Sequence, residues 1–200
     1  MENTTHFFID TETLAKSPNA VVLSLSVVPF SLEDEDVTFK RMLKRGITMK
    51  ISTREQMKVY GRKLDKSTLD WWAEQDADAR AILKPSDEDL SIDETLDTFE
   101  KFLEDNDYDR KNSWLLSRGT VFDFGKLETL YENVKREMTY QYNMVNDMRS
   151  FVNVLTGVKN GQYYTDGDRT GFIHHDSLHD AASDAMTLIE IYRMAMAGEL

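Results

Sequence analysis

Five residues spread along this chain carry the groups needed for metal-dependent phosphodiester chemistry. They are Asp10 and Glu12 in FFIDTET, Asp123 in SRGTVFDF, and His179 and Asp184 in HDSLHDAASDA. Two divalent ions about 3.5–4 Å apart can run such cleavage, one activating water and the other stabilising the leaving oxygen. Magnesium and manganese prefer oxygen ligands, so four acidic side chains without thiolates suit them better than zinc. A neutral imidazole, with an ordinary pKa of about 6.5, can take the proton of an attacking water near neutral pH.

A D-x-E pair alone is a weak signal in a chain with 36 acidic residues. Its setting is stronger. Residues 5–9 (THFFI) read as a short β-rich strand that delivers Asp10 and Glu12 at its C-terminal end, where α/β sheets place ligand sites. Residues 20–30 (AVVLSLSVVPF) form a second strand, and residues 36–44 are expected to form a third. Ser67 and Asp70 have the spacing of a helix start leading into Trp71 and Trp72. Ser91 and Glu94 make a capping box, followed by Ile92, Leu96, Phe99 and Leu103 on one helical face. SWLLSR reads as a short inner strand, with Leu127, Leu130, Tyr131 and Val134 at helical spacing after it, so Asp123 falls near a helix start. Leu178, Ala182, Ala185, Ile189 and Tyr192 mark a final helix with a buried stripe. The organisation is α/β, and one domain over residues 1–200 is expected, long enough to bury a core without disulfides.

The absence of cysteine excludes a disulfide framework and thiol chemistry. No targeting segment or bilayer-spanning run is evident, so a cytoplasmic setting is expected, with no membrane partner. A net charge of −12 is unusual for a protein that handles a polyanion. The average conceals an asymmetry. Between residues 40 and 66, ten basic side chains stand against Glu55 and Asp65, a local +8 that leaves −20 for the remainder. Lys58, Arg62 and Lys63 are candidates within it for tracking a phosphate backbone, and a solvated face or protein contact is the alternative.

The ordered set Asp10, Glu12, Asp123, His179, Asp184 resembles the DEDDh 3′→5′ exonucleases. The runs LKRGITMKI, KSTLDWWAEQDADARAILKPSDEDLS, SRGTVFDF and GFIHHDSLHDAASDAM are similar to the DexA-type exodeoxyribonucleases of tailed phages, along nearly the whole chain. The segment 139–171 matches less well and looks shortened. The resemblance implies a ribonuclease H-like fold, a mixed five-stranded sheet flanked by helices, and two Mg2+ or Mn2+ ions. It implies that Asp10 bridges both ions, that Glu12 and Asp184 hold the water-activating ion, and that Asp123 supports the other. His179 is then the general base, through the family's H-x4-D step.

Several positions have rivals. His6, His174 and His175 compete with His179, and Asp180, four residues before Asp184 and on the same helical face, is the rival ligand. Adjacent helical residues point about 100° apart, so at most one of Trp71 and Trp72 faces substrate, and Trp71 is the candidate. Arg118 is placed to reach a scissile phosphate or to serve a structural pair. By resemblance Thr11, Thr13 and Leu14 meet the terminal nucleotide. TDGDRTG resembles a calcium loop but lacks the final glutamate, and reads as a turn. The expected activity is stepwise release of nucleoside 5′-monophosphates from single-stranded 3′ ends, DNA preferred, in the host cytoplasm if phage-encoded. An exoribonuclease on the same scaffold is the nearest alternative, since no 2′-hydroxyl selector is recognisable. A silent nucleic-acid or protein-binding module is more remote, because binding alone does not require all five residues.

Overall fold

A computed structural model describes residues 4–200. Its strands are β1 (His6–Thr13), β2 (Val22–Phe30), β3 (Ile47–Lys50), β4 (Leu115–Ser117) and β5 (Val145–Asp147). Its α-helices are α1 (Phe39–Arg45), α2 (Thr53–Lys58), α3 (Lys66–Ala73), α4 (Ala77–Arg80), α5 (Ile92–Asp105), α6 (Thr120–Asn133), α7 (Met148–Thr156) and α8 (Ser177–Ala197). The strands make one mixed sheet in the order β3-β2-β1-β4-β5. β1, β2 and β3 pair antiparallel, while β4 and β5 run parallel to β1 and to each other.

The period of two along β1 sorts its side chains between two cores. Phe7 and Ile9 join the cluster under α5 and α6, with Leu96, Phe99, Leu127 and Leu130. Phe8 joins the opposite cluster, against Ala181, Ala182, Ala185 and Ile189 of α8. The alternation carries Asp10 and Glu12 to the α8 face and Thr11 to the α6 face. The pairing of β1 with β2 shifts register between Glu12 and Thr13, an irregularity of the kind that ends a ladder beside a site.

Local signals set most helix ends. Ser91 and Glu94 form the expected reciprocal capping box of α5. Gly198 closes α8 in the left-handed conformation that glycine adopts without a Cβ penalty. The strand expected over residues 36–44 is instead a loop leading into α1. Thr38 caps that helix by accepting from Arg41 N, and Phe39 and Met42 bury one face at a spacing of three. The third strand forms just beyond, at Ile47–Lys50. Within the poorly matching 139–171 segment lie β5 and α7. Among the described residues no helix is long and apolar enough to cross a membrane.

Gly46 sits where α1 turns into β3 beneath α8. A Cβ there would lie 2.5 Å from Leu178 Cδ1, 2.8 Å from Val28 Cγ2 and 2.9 Å from the Val27 carbonyl. Gly46→Ala should therefore cost about 1–3 kcal/mol by overpacking, read as a lower urea midpoint with unchanged m. An unchanged midpoint would contradict this packing.

Candidate active site

The site forms where β1 ends, between the start of α8 and the first turn of α6. Asp10 and Glu12 oppose Ser26 and Ser24 across the β1–β2 ladder. Both serines approach Ser177 Oγ at the beginning of α8, at 2.7 and 2.8 Å. These small hydroxyls let the helix end lie against the sheet with its polar groups satisfied. The N-cap of α8, Asp176, accepts from Leu178 N and His179 N.

The chain immediately before α8 carries the histidine of the site. His175 has φ +61°, an uncommon conformation for a non-glycine residue, and its N–H donates to Asp180 Oδ2 at 3.1 Å. Ligand atoms of Glu12, His175 and Asp180 all lie within 4.8 Å of one another. The rings of His175 and Trp71 meet edge-on at 4.6 Å. From the other face, Asp123 in the first turn of α6 accepts from Thr11 N at 3.2 Å and Thr11 Oγ1 at 2.7 Å. Asp10, Glu12, Asp123, His175, Asp180 and Trp71 thus line one cavity of about 600 Å³.

So many carboxyls in one desolvated place oppose each other's ionisation. Burial, then the charges of Asp123, Glu12, Asp180 and Asp184, hold Asp10 well above the usual carboxylate range. Burial and Asp180 do the same to Glu12. Burial raises Asp123 to about 6 against the opposing hydrogen bond from Thr11. Burial and Asp184 raise Asp180 to about 7. Burial and His174 lower His175, favouring its neutral form. Oxygen donors crowded this way, with one neutral imidazole and no thiolate, fit hard divalent cations.

Two residues expected here have other partners, although Asp184 borders the adjoining cavity together with Asp10, His175 and Asp180. His179 uses Nδ1 to accept from Ile173 N at 3.0 Å, and its ring packs against Phe39 and Phe172. Asp184, one turn beyond Asp180, is held by Arg118, with Nε at 2.8 and 2.9 Å from its two oxygens. Arg118 also donates to the Gly161 carbonyl and lies over the Tyr164 ring, so its Nε and Nη1 are engaged within the protein, while Nη2 is ion-paired with Asp184 without a hydrogen bond. The H-x4-D step occurs twice in HHDSLHDAASDA, at His175–Asp180 as well as His179–Asp184. That repetition was the signal for the second register.

The remaining expectations divide. Trp71 faces the cavity while Trp72 is buried and donates Nε1 to the Thr13 carbonyl. Thr11 and Thr13 border the cavity, but Leu14 packs inward with Val21, Leu23 and Trp72. Arg62 is not available to phosphate. It is 3% exposed and ties Ala20 O to Thr129 and Asn133 of α6. Arg41, Arg45, Lys50 and Lys66 are paired with Asp36, Asp34, Asp89 and Asp70. Lys58 and Lys63 are exposed but border neither cavity that holds the carboxylates, whereas Lys16, unremarked in the sequence, does.

A mixed sheet flanked by helices, with acidic side chains and a histidine gathered at the end of its central strand, defines a nuclease domain of the ribonuclease H-like class. A model of the Rv2179c-like 3′-5′ exoribonuclease domain matches residues 5–192. The exodeoxyribonuclease of Enterobacteria phage T4 is 31% identical over 210 residues, spanning 96% of this chain and 91% of that protein. The nuclease domain of 3′hExo, a DEDDh family member solved with rAMP, aligns with a TM-score of 0.60 at 14% identity, over 100% of this chain and 96% of that one. The zinc-bound E. coli ExoI–ssDNA complex aligns at 0.57 and 10% identity, over 99% of this chain and 41% of that one. This chain belongs to the Rv2179c-like family of 3′→5′ exonucleases.

Raised carboxyl pKa values make the metal-free fold bind protons that the unfolded chain releases. Their stabilising contribution is complete below the ordinary carboxylate range and is lost as pH rises through the folded values, about 6 for Asp123 and about 7 for Asp180. In chelator, Tm should fall between about pH 4 and 7, the window between the ordinary and the raised carboxyl values, and Asp180→Asn should flatten the upper part of that fall. Magnesium should raise Tm more at the higher pH, because its ligands must be deprotonated. A flat wild-type profile in chelator would contradict the clustering.

Proposed function

We propose that the chain, acting as a single domain over residues 1–200, removes nucleoside 5′-monophosphates stepwise from single-stranded 3′ ends, with DNA preferred over RNA. The observation that carries this reading is the convergence of Glu12, His175 and Asp180 within 4.8 Å, beside Asp10 at the end of β1. The 31% identity to an exodeoxyribonuclease along nearly the whole chain favours DNA. The family's exoribonuclease description keeps RNA as the second reading.

Asp10, Glu12, Asp123 and Asp180 are the residues that would hold two divalent ions, Mg2+ or Mn2+. When bound, such ions neutralise the carboxylates and the phosphate and make water a stronger acid. His175, rather than His179, takes the proton of the attacking water, since it reaches the cavity and burial keeps it neutral. Its backbone bond to Asp180 fixes the base relative to a ligand. Thr11 orients Asp123 through two hydrogen bonds. Trp71, half-exposed against His175, offers a flat face to the terminal base. Asp184 fixes Arg118 and acts as a positioning residue, not a ligand.

The two registers separate experimentally. His175→Ala should lose about 10²–10⁴ in kcat on labelled single-stranded DNA while still binding manganese. Asp180→Asn should abolish magnesium-dependent cleavage. His179→Ala should keep most activity, and Asp184→Asn should lower Tm, by about 3 kcal/mol of stability for a broken buried pair, yet remain active. Matched RNA should be degraded more slowly than DNA. Full activity in His175→Ala and none in His179→Ala would return the assignment to the His179–Asp184 register.

A further inference from the structure

A second cavity adjoins the first and is bordered by three arginines, Arg118, Arg149 and Arg169. Two are committed. Arg118 is bound to Asp184 and Gly161, and Arg169 donates to Ser183, Thr187 and the Thr165 and Gly167 carbonyls. Arg149 differs. Its backbone N–H completes the α7 cap by donating to Asp147, but its guanidinium has no hydrogen bond or ion pair among the described residues.

The side chain is nevertheless held in place. Gly161, at φ +65°, lies against its stem, where a Cβ would come within 2.5 Å of Arg149 Cβ and Cγ. Gly119, at φ +134°, lies against its head, where a Cβ would come within 2.8 Å of Nη1. Two loops from different parts of the sequence thus leave a groove for one arginine. Arg149 borders both cavities, as do Asp10, His175 and Asp180. It stands at their junction, where the reacting phosphodiester must lie if the site works as proposed above.

We infer that Arg149 is the phosphate-binding residue of this site, holding the phosphate under attack through its free guanidinium donors. The inference rests on the nuclease reading of the cavity. A planar fork of N–H donors matches two phosphate oxygens, and its charge opposes the repulsion that surrounding carboxylates exert on a polyanion. Asp184 already has Arg118 as its partner, so Arg149 is not needed as its counter-charge.

The test compares binding of dTMP and thymidine in magnesium by NMR titration, for wild type, Arg149→Met and Arg149→Lys. Wild type should bind dTMP more tightly than thymidine. Arg149→Met should weaken dTMP by about 10- to 100-fold, the loss of charge-assisted hydrogen bonds, and leave thymidine unchanged. Arg149→Lys should recover part of the loss, since it keeps the charge without the fork. Manganese affinity and Tm of both variants should match wild type. Equal dTMP binding by wild type and Arg149→Met, or a parallel loss of thymidine, would overturn the assignment. A wild type that does not distinguish dTMP from thymidine would overturn the nuclease reading and this inference with it.

Discussion

Mutual repulsion among buried carboxyls is the constraint on which the rest of the structure depends. Asp10, Glu12, Asp123 and Asp180 come from a strand and two helices, and burial first, then the charges of Asp123 and Asp180, raises the cost of ionising Asp10 and Glu12. Such a group persists only if the surrounding packing holds it together against that repulsion. The central strand supplies two carboxyls on one face, and its neighbour Thr11, on the other, holds Asp123. Alanines along α8 let that helix lie close to the sheet, and the contact of Ser177 with Ser24 and Ser26 fixes where its first turn stops. The fold thereby stores an electrostatic cost that divalent cations, if bound as proposed, would relieve.

The same constraint explains why charged residues near the site serve different ends. Arg118 holds Asp184 in an ion pair, while the guanidinium of Arg149, at the cavity junction, has no hydrogen bond or ion pair among the described residues. The basic stretch between residues 40 and 66 looks continuous in sequence, but much of it is spent on structure. Arg62 is a buried link between a loop and α6, and four other cations neutralise nearby aspartates. Lys40, Lys44, Arg54, Lys58 and Lys63 remain without an ion pair among the described residues, a smaller charge than the sequence implies.

Much of the fold was legible because its signals are local. The alternation in β1 and β2, the capping box at Ser91 and Glu94, and the apolar stripe of α8 all operate within a few residues. The third strand was misplaced because Phe39 and Met42 lie in a short segment where strand and helix periodicities are hard to separate. The type and order of Asp10, Glu12 and Asp123 in the sequence pointed to their meeting, and they line one cavity. The His175–Asp180 register proposed above was not evident, because two H-x4-D steps overlap within one helix start. Only the three-dimensional contact of His175 with Trp71, and of His179 with Phe39 and Phe172, separates them. Arg149 had no signal of its own, since its groove is built by glycines 30 residues before it and 12 after it in sequence.

The most direct measurement is anomalous diffraction from crystals of the wild-type protein grown with manganese. Density at the manganese edge should fall between the carboxylates of Asp10, Glu12 and Asp180, with Asp184 still bound by Arg118 and His179 still turned toward Phe39. A manganese peak coordinated by Asp184, with Arg118 displaced and Asp180 free of metal, would contradict the central claim.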